Sequence, residues 1–425
     1  MKHPLRLNPS LVKTTFAGLT LLSLASSSAL AANWTLTDLG ALGAEHSLNY
    51  TSKACNINNA GQVAGQGVVL VNGEREMHYV MWSNGTQIDL GIRGETSVAP
   101  INDAGQVAGV IAAENYSPFL WQAGVVTRVP VLPNTVDGCR VTGINAGGAV
   151  VGNNGVQRTW GVERVSVRWH GGVVADLGLP YGYGVTAIND SGTLAIGAGQ
   201  MGQRSYVLSG GNTSMVYWPG MDPLTGTTKA LDLNNAGQVC GWLIDPAVDG
   251  AERALLWQAG GGTFLPNFPI NSRSEAVALN HHGHAVGWAY RAGNDAPAVL
   301  WRDGTLTALD SLPEVKAAGW SALEARDIND HDQIVGSGYH GEFVHAFLLS
   351  PVVVPTLTLT RSGTDVVLSF PTQTGVLYQL QSSTDLIAES WLDVGAPYSG
   401  TGGVLSPAIT IGPEPKKFFR LHLGN

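Results

Sequence analysis

Asn58-Asn59-Ala60-Gly61-Gln62-Val63-Ala64-Gly65 reads as a tight turn followed by a small apolar strand, and it returns as Asn102-Asp103-Ala104-Gly105-Gln106-Val107-Ala108-Gly109. Further copies start at Asn145, Asn189, Asn234, Asn280 and, with Asp332 in place of the turn glycine, Asn329. The seven copies lie 44, 43, 44, 45, 46 and 49 residues apart. A fixed period of this size marks a repeat architecture. Asn can bond its own backbone a few residues on and Gly tolerates positive φ, so Asn-x-x-Gly suits a hairpin between a first and a second strand. A third strand ends in Trp, as in Tyr79-Val80-Met81-Trp82, Phe119-Leu120-Trp121 and Val299-Leu300-Trp301. After a second turn such as Ser83-Asn84-Gly85-Thr86, a fourth strand reads like Gln87-Ile88-Asp89-Leu90-Gly91. Four short strands per copy is the size of one propeller blade.

The two ends of the array complement each other. Trp34-Thr35-Leu36-Thr37-Asp38-Leu39-Gly40 is a fourth strand with no first three before it, and the seventh copy stops after its third strand at His345-Ala346-Phe347-Leu348-Leu349-Ser350. Pairing them closes a circle and removes an exposed edge, so the expectation is an all-β chain with a seven-bladed β-propeller of four-stranded blades closed by an N-terminal strand. An open β-solenoid is the alternative. The propeller is expected over residues 32–350, a stiff linker at 351–355 (Pro351-Val352-Val353-Val354-Pro355), and a small C-terminal β-sandwich at 356–425, where Val366-Val367-Leu368-Ser369-Phe370 and Val376-Leu377-Tyr378-Gln379-Leu380-Gln381 alternate as strands do.

The Ile-Asn-Asp-x-Gly-Gln-Val-x-Gly turn at 101–109, the Asp-Leu-Gly strand ends at 38–40, 89–91 and 176–178, and His345-Ala346-Phe347 resemble the bacterial extracellular HAF repeat, named for that His-Ala-Phe strand. Most copies depart from it, as in Ser117-Pro118-Phe119 and Arg253-Ala254-Leu255. The resemblance covers residues 34–350 and implies a secreted, propeller-like protein with no established reaction. The run Tyr378 to Leu386, with Trp391 and Phe418-Phe419-Arg420-Leu421, is similar to the immunoglobulin- or fibronectin-like ends of many secreted bacterial proteins, which implies a spacer or attachment role.

Composition agrees with a turn-rich β protein. Gly accounts for 55 of 425 residues, charged residues for 13% and hydrophobic ones for 44%, against both a disordered chain and a helical array. Residues 1–31 read as a secretory signal peptide, with a basic start, an apolar stretch from Phe16 to Leu24, and cleavage expected after Ala31. The interruptions at Ser23, Ser26, Ser27 and Ser28 argue against a membrane anchor, and no later segment suits a membrane span. Losing Lys2, Arg6 and Lys13 takes the formal charge from −9 to −12, which disfavours nucleic acid as a partner. The expected location is extracellular, periplasmic or on the outer cell surface. Cys55, Cys139 and Cys240 fall in nonadjacent copies and are read as buried free thiols.

Three features carry candidate chemistry. His281, His282 and His284 crowd one turn, and His331 repeats the position of His282 in the next copy; with Asp330 and Asp332 they could hold a divalent metal, though solvated turn residues are the simpler reading. No other cofactor is expected. The connections from second to third strand and from copy to copy share one edge and carry Trp160, Tyr181, Tyr183, Trp242, Phe268, Trp288, Tyr290 and Trp320, flat faces suited to sugar rings unless they pack between blades. Acids on the same edge, Glu45, Glu95, Asp137, Asp245, Asp249, Glu275 and Glu324, could supply a glycosidase pair. No nucleophile elbow, phosphate loop, His-Glu-x-x-His or Cys-x-x-Cys is present. These features favour a non-catalytic binding or structural protein whose partner is an extracellular polysaccharide or a cell-surface protein. The alternative is a polysaccharide-acting lyase or glycoside hydrolase on the same edge.

Overall fold

The computed structural model describes residues 12–16, 19–23, 34–40, 51–94, 98–198, 204–220, 226–245, 251–268, 273–291, 295–352, 355–362, 365–372, 376–385, 387, 390–410 and 417–424. Of the expected leader it describes only the backbone strands Val12–Phe16 and Leu19–Ser23, which pair antiparallel. Cleavage after Ala31 lies outside the described residues, as does part of the linker, Val353 and Val354. No described helix is long and apolar enough to cross a membrane.

The chain divides into two compact units, Leu36–Ser350 and a second comprising Met1–Thr35 with Pro351–Asn425. In the larger unit each copy of the repeat forms one antiparallel sheet. The first is Ser52–Ile57, Val63–Val71, Glu74–Ser83 and Thr86–Arg93 in that order, and four of the later copies repeat the four-stranded pattern in sequence. The last sheet joins Trp320–Ile328, Ile334–His340 and Phe343–Pro351 to Trp34–Asp38, the strand expected from the far end of the array, with Leu39 N–H donating to Ala346 O at 3.0 Å. The second copy departs from expectation. Its described strands are Val107–Ile111, Ser117–Gln122 and Val125–Arg128, and the first strand is reduced to a single bridge between Ile101 and Val107. Pro100 there has no N–H to continue a ladder. The longest spacing also has a cause that the repeat pattern does not reveal: Leu309–Ser311 and the short helix Pro313–Ala317 are inserted before the seventh copy, burying Leu309 and Val315 completely.

The motif asparagines do more than shape their own turns. In all seven copies the side-chain Oδ1 accepts the N–H four residues on, at 2.8–3.0 Å. The Nδ2 then donates to the backbone carbonyl of the asparagine in the following copy, from Asn58 to Asn102 and onward through Asn145, Asn189, Asn234, Asn280 and Asn329, at 2.8–3.2 Å. Asn329 donates back to Asn58 O at 3.0 Å, so the chain of bonds is a closed cycle. The apolar core follows the same cycle, because each cluster is shared by two consecutive sheets. Ile57, Val80 and Trp82 of the first copy pack with Val335 and Ala346 of the seventh. Burial of that kind stabilises by about 1.5–3 kcal/mol per large side chain.

The glycine closing the Gln-Val-Ala-Gly signature has a separate cause. In six of the copies the first strand slips register by one residue just before the asparagine, as between Ala54 and Asn56 or Ala276 and Ala278, which is a β-bulge. The bulge pushes a first-strand carbonyl against the second strand. A Cβ on Gly65, Gly152, Gly241, Gly287 or Gly336 would collide with the carbonyl oxygen of Lys53, Arg140, Lys229, Glu275 or Glu324 respectively.

The smaller unit contains Thr358–Ser362 and Asp365–Pro371 in one sheet and Leu377–Ser383 with Phe418–Gly424 in another. Val366, Leu368, Leu380 and Phe419 form a core between them.

Two substitutions test these devices by thermal unfolding. Gly287→Ala should destabilise by about 1–3 kcal/mol, the cost of overpacking against backbone that cannot yield. Asn234→Ala removes bonds to Asn280 O, Gln238 Oε1 and the N–H groups of Ala236 and Gln238. It should cost about 1–3 kcal/mol, because the buried Asn280 carbonyl loses its partner and the turn loses its internal bonds. An unchanged midpoint in either variant would contradict the corresponding device.

Candidate functional site

Antiparallel order puts the Asn-x-x-Gly turns and the turns between second and third strands at opposite ends of every sheet. The four histidines and the aromatic set therefore occupy different edges of the larger unit.

At the Asn edge, residues from all seven copies surround a polar axial cavity of about 200 Å³. Asp103, Asp190 and Asp330 line it, each accepting the backbone N–H one residue past the asparagine of the preceding copy at 2.7–2.8 Å. His281, His282 and His331 are exposed. His284 instead bonds Asp332 at 2.7 Å through Nδ1, and that bond, against the cost of burial, raises its pKa. Asp332 occupies the turn-glycine position at φ 57 and is also bonded by Asn280 Nδ2, which explains why Asp is accommodated there. The histidine rings neighbour one another, His281 to His282 at 6.1 Å and His282 to His284 at 5.7 Å between centroids, but among the described residues His281, His282, His284 and His331 do not bring ligand atoms together as a metal-ligand set. Deeper on this axis Asp232 and Asp327 accept the N–H groups of Leu279 and Ile57 in the next copies. Burial and then the charge of Asp232 push Asp327 up to about 7.

At the loop edge a cavity of about 560 Å³ lies where the second and third copies meet. Tyr116, Asp137, Cys139, Arg140 and Arg164 line it. Arg164 donates to the Asp137 carbonyl at 2.8 Å and pairs with its carboxylate at 2.7 Å, while Arg140 stands exposed beside them. Asn115 and Tyr116 on the rim hold φ of 53° and 55°, a conformation bulky residues seldom adopt and one that strained binding sites often carry. Cys139 N–H donating to Tyr116 O at 3.1 Å fixes that rim.

The aromatic set divides. Trp160 and Tyr181 are 76% and 71% exposed. Tyr183 leans on Tyr206, Trp288 meets Tyr290 edge to face at 5.5 Å, and Phe268 packs against the core, so their faces are partly used. Trp242 is half-buried on its strand. Trp320 offers no free face: it is 6% exposed and stacked on His340 at 5.0 Å. Of the acids, Glu45, Glu95 and Asp249 lie outside the described residues, as does the side chain of Asp245. Glu324 pairs with Arg326. Glu275 is held above its usual range by burial, with Glu252 adding to the shift and Lys229 opposing it.

The three cysteines are free and buried. Burial pushes Cys55 up to about 12 and Cys139 to about 11, so neither is a thiolate nucleophile at neutral pH.

Sequence reasoning missed Arg140, Arg164 and Tyr116, whose meeting depends on two copies lying side by side. It also missed a cluster at the closing sheet: Asp38 Oδ2 accepts from Nδ1 of both His340 and His345 at 2.8 Å, and Asp38 Oδ1 accepts from Gly40 N–H at 2.8 Å. Burial alone would raise Asp38, yet the bonds from His345, Gly40 and His340 outweigh it and hold the carboxyl below its usual range. A signal was present, because copies one and seven are alike in carrying both the strand-three His and the strand-four Asp, and His78 bonds Asp89 at 2.9 Å as His345 bonds Asp38.

No family model and no curated protein matches the chain. Among solved structures, a Mycobacterium tuberculosis puromycin-hydrolyzing peptidase superimposes with a TM-score of 0.51 at 11% identity, over 77% of this chain and 58% of that one. A Pyrococcus horikoshii acylaminoacyl peptidase gives 0.48 at 9% identity with the same coverage, and YCF48 bound to D1 peptide gives 0.42 at 13% identity over 75% of this chain and 97% of that one. This chain spans less than two thirds of either peptidase. The neighbours are propeller proteins, and the likeness to the first of them shows a propeller-like all-β fold alone.

Asp327 makes stability pH-dependent in a defined direction. Its folded pKa lies above the unfolded value of 3.8, so the folded state holds the proton more tightly. Its contribution is complete below the unfolded pKa and lost as pH rises through about 7. Melting curves taken from pH 4 to 8 should fall with pH, and Asp327→Asn should flatten that fall; an equally steep fall in the variant would refute the assignment.

Proposed function

We propose that the chain is a secreted, non-catalytic binding protein, a seven-bladed propeller of the HAF-repeat type carrying a C-terminal β-sandwich, and that its loop edge takes an extracellular polysaccharide. The observation that carries this reading is the cavity between the second and third copies. It has the volume of a ligand site, two arginines and a carboxylate able to hydrogen-bond sugar hydroxyls, and Tyr116 on its rim. Trp160 and Tyr181 add exposed flat surfaces on the same edge, suited to the apolar faces of sugar rings. The groups in the cavity favour binding over catalysis: Asp137 is neutralised by Arg164, and the Cys139 thiol is pushed up.

A second reading, a polysaccharide-acting lyase or hydrolase, is favoured by Glu275. A carboxyl that burial holds above its usual range suits a general acid, and Glu252 is a charged neighbour.

The two readings separate in one experiment. The processed chain is passed over immobilised polysaccharides while reducing ends and unsaturated products are assayed in the same wells. Binding predicts retention without products, weakened about tenfold or more by Arg140→Ala or Trp160→Ala, the scale of an interface hot spot. Products abolished by Glu275→Gln would replace it with the enzyme reading, and retention indifferent to both first variants would remove the cavity from the proposal.

A further inference from the structure

We infer that Asp38, His340 and His345 form a binding site for one divalent transition ion of the zinc class, which ties the N-terminal strand to the seventh copy. One ligand atom from each residue falls within 4.8 Å of the other two, and among the described residues this is the group of metal-ligating side chains that converges in this way. Zinc binds imidazole nitrogen and carboxylate oxygen at about 2.0–2.2 Å, so ligand atoms around a tetrahedral ion stand about 3.3–3.5 Å apart. The two imidazole–carboxylate separations of 2.8 Å need a slight opening, and all three ligand atoms already lie within 4.8 Å of one another, so an ion could replace the protons of the His340 and His345 bonds to Asp38 Oδ2.

The surroundings orient all three ligands. Gly40 N–H occupies the other carboxylate oxygen and leaves Oδ2 facing the imidazoles. His340 lies flat on Trp320, 8° from parallel at 5.0 Å. His345 is flanked by Phe343 at 6.5 Å and meets Trp320 edge to face at 6.4 Å. These ring contacts restrict the rotation of both imidazoles. The side chains of Asp38, His340 and His345 are 30%, 42% and 22% exposed, so an ion can enter from solvent and keep water at a fourth position.

The first copy is an internal comparison. It has the same His–Asp pair in His78 and Asp89, but the residue equivalent to His340 in the strand register is Val69, and Glu76 bonds the other ring nitrogen of His78 at 3.4 Å. His78 is also buried, at 7% exposure. The seventh copy therefore carries the additional imidazole and the open approach that a pair alone lacks. Asp38 comes from one end of the array and both histidines from the other, so an ion here would link them and raise stability by mass action. This inference stands apart from the glycan reading and uses none of its residues.

The test uses untagged full chain, stripped with chelator and titrated with Zn²⁺ by calorimetry and with Co²⁺ by visible absorption. The expected result is one equivalent bound, a Co²⁺ spectrum of low-coordinate nitrogen and oxygen ligation, and a melting midpoint that rises with Zn²⁺ and falls back in chelator. His345→Ala and His340→Gln should each weaken binding by more than the roughly 10–100-fold cost of losing a supporting partner. His340 is nearly half exposed, so its variant is expected to fold, and an unchanged melting midpoint in chelator will verify this. The pair His281→Ala, His282→Ala should bind as the parent does. Absence of uptake by the parent at micromolar Zn²⁺, or uptake that survives both variants at the closing sheet, would overturn the inference.

Discussion

The hydrogen bond from each motif asparagine to the carbonyl of the next asparagine is the constraint on which the larger unit depends. One amide side chain does two jobs. Its oxygen holds the local turn and its nitrogen reaches the neighbouring sheet, so the turn cannot form in its native shape without specifying where the next sheet sits. A bond from Asn329 back to Asn58 follows only if the accumulated rotation around the array returns to its start. Because each of these amides is nearly or fully buried, leaving one unpaired carries the full desolvation cost of a buried polar group. The cycle therefore resists opening at any single step more strongly than the modest net value of one hydrogen bond would suggest.

The recurrent glycine follows from the same geometry. A first strand that must present its asparagine to the next copy slips by one residue immediately before it, and the bulged carbonyl leaves no room for a Cβ on the second strand. Turn, bulge and glycine thus form one mechanical unit. The fourth-strand Asp-Leu-Gly plays the corresponding part at the other edge, where Asp38, Asp89 and Asp176 accept the N–H of a glycine held at φ of 64–67°. That aspartate keeps one oxygen free, and what the third strand places opposite decides the local chemistry: His in copies one and seven, and Val165 in copy three.

The periodic parts of this arrangement were legible in the sequence because each is repeated. The strands, the hairpin turns and the complementary ends could be read from spacing, and the structure pairs Trp34–Asp38 with Phe343–Pro351 as those ends imply. The destination of the asparagine amide was not legible, since its partner lies one whole copy away and no local rule points there. The functional residues were harder still, because they depend on what each copy does differently. Three histidines on one turn and a fourth in the next copy invited a metal reading, yet His284 is taken up by Asp332. Asp38 and His345, 307 residues apart, meet because the ring closes. Topology puts the aromatic residues on connections at one edge, but Trp320 could not be distinguished from Trp160 until packing showed the first stacked on His340 and the second 76% exposed.

A division of labour between the two edges follows. At the Asn edge every copy is bonded to both neighbours, so variation is confined to residues that preserve the cycle, as when Asp332 replaces glycine and gains His284 and Asn280 as partners. Toward the loop edge neighbouring sheets are also tied, by side-chain bonds that differ from copy to copy, as from Ala346 N–H to Ser52 Oγ and from Ala254 N–H to Ser274 Oγ, and the connections there lengthen, gain a helix as at Pro313–Ala317, or lose a regular first strand as before Ile101 without disturbing the cycle. Irregularity of that kind makes room for cavities, and the one of about 560 Å³ lies beside the second copy, whose first strand is the least regular. An array tied by the same bond at every step of one edge can vary at the other, and under the proposed binding role those departures from the pattern mark where the ligand is to be sought.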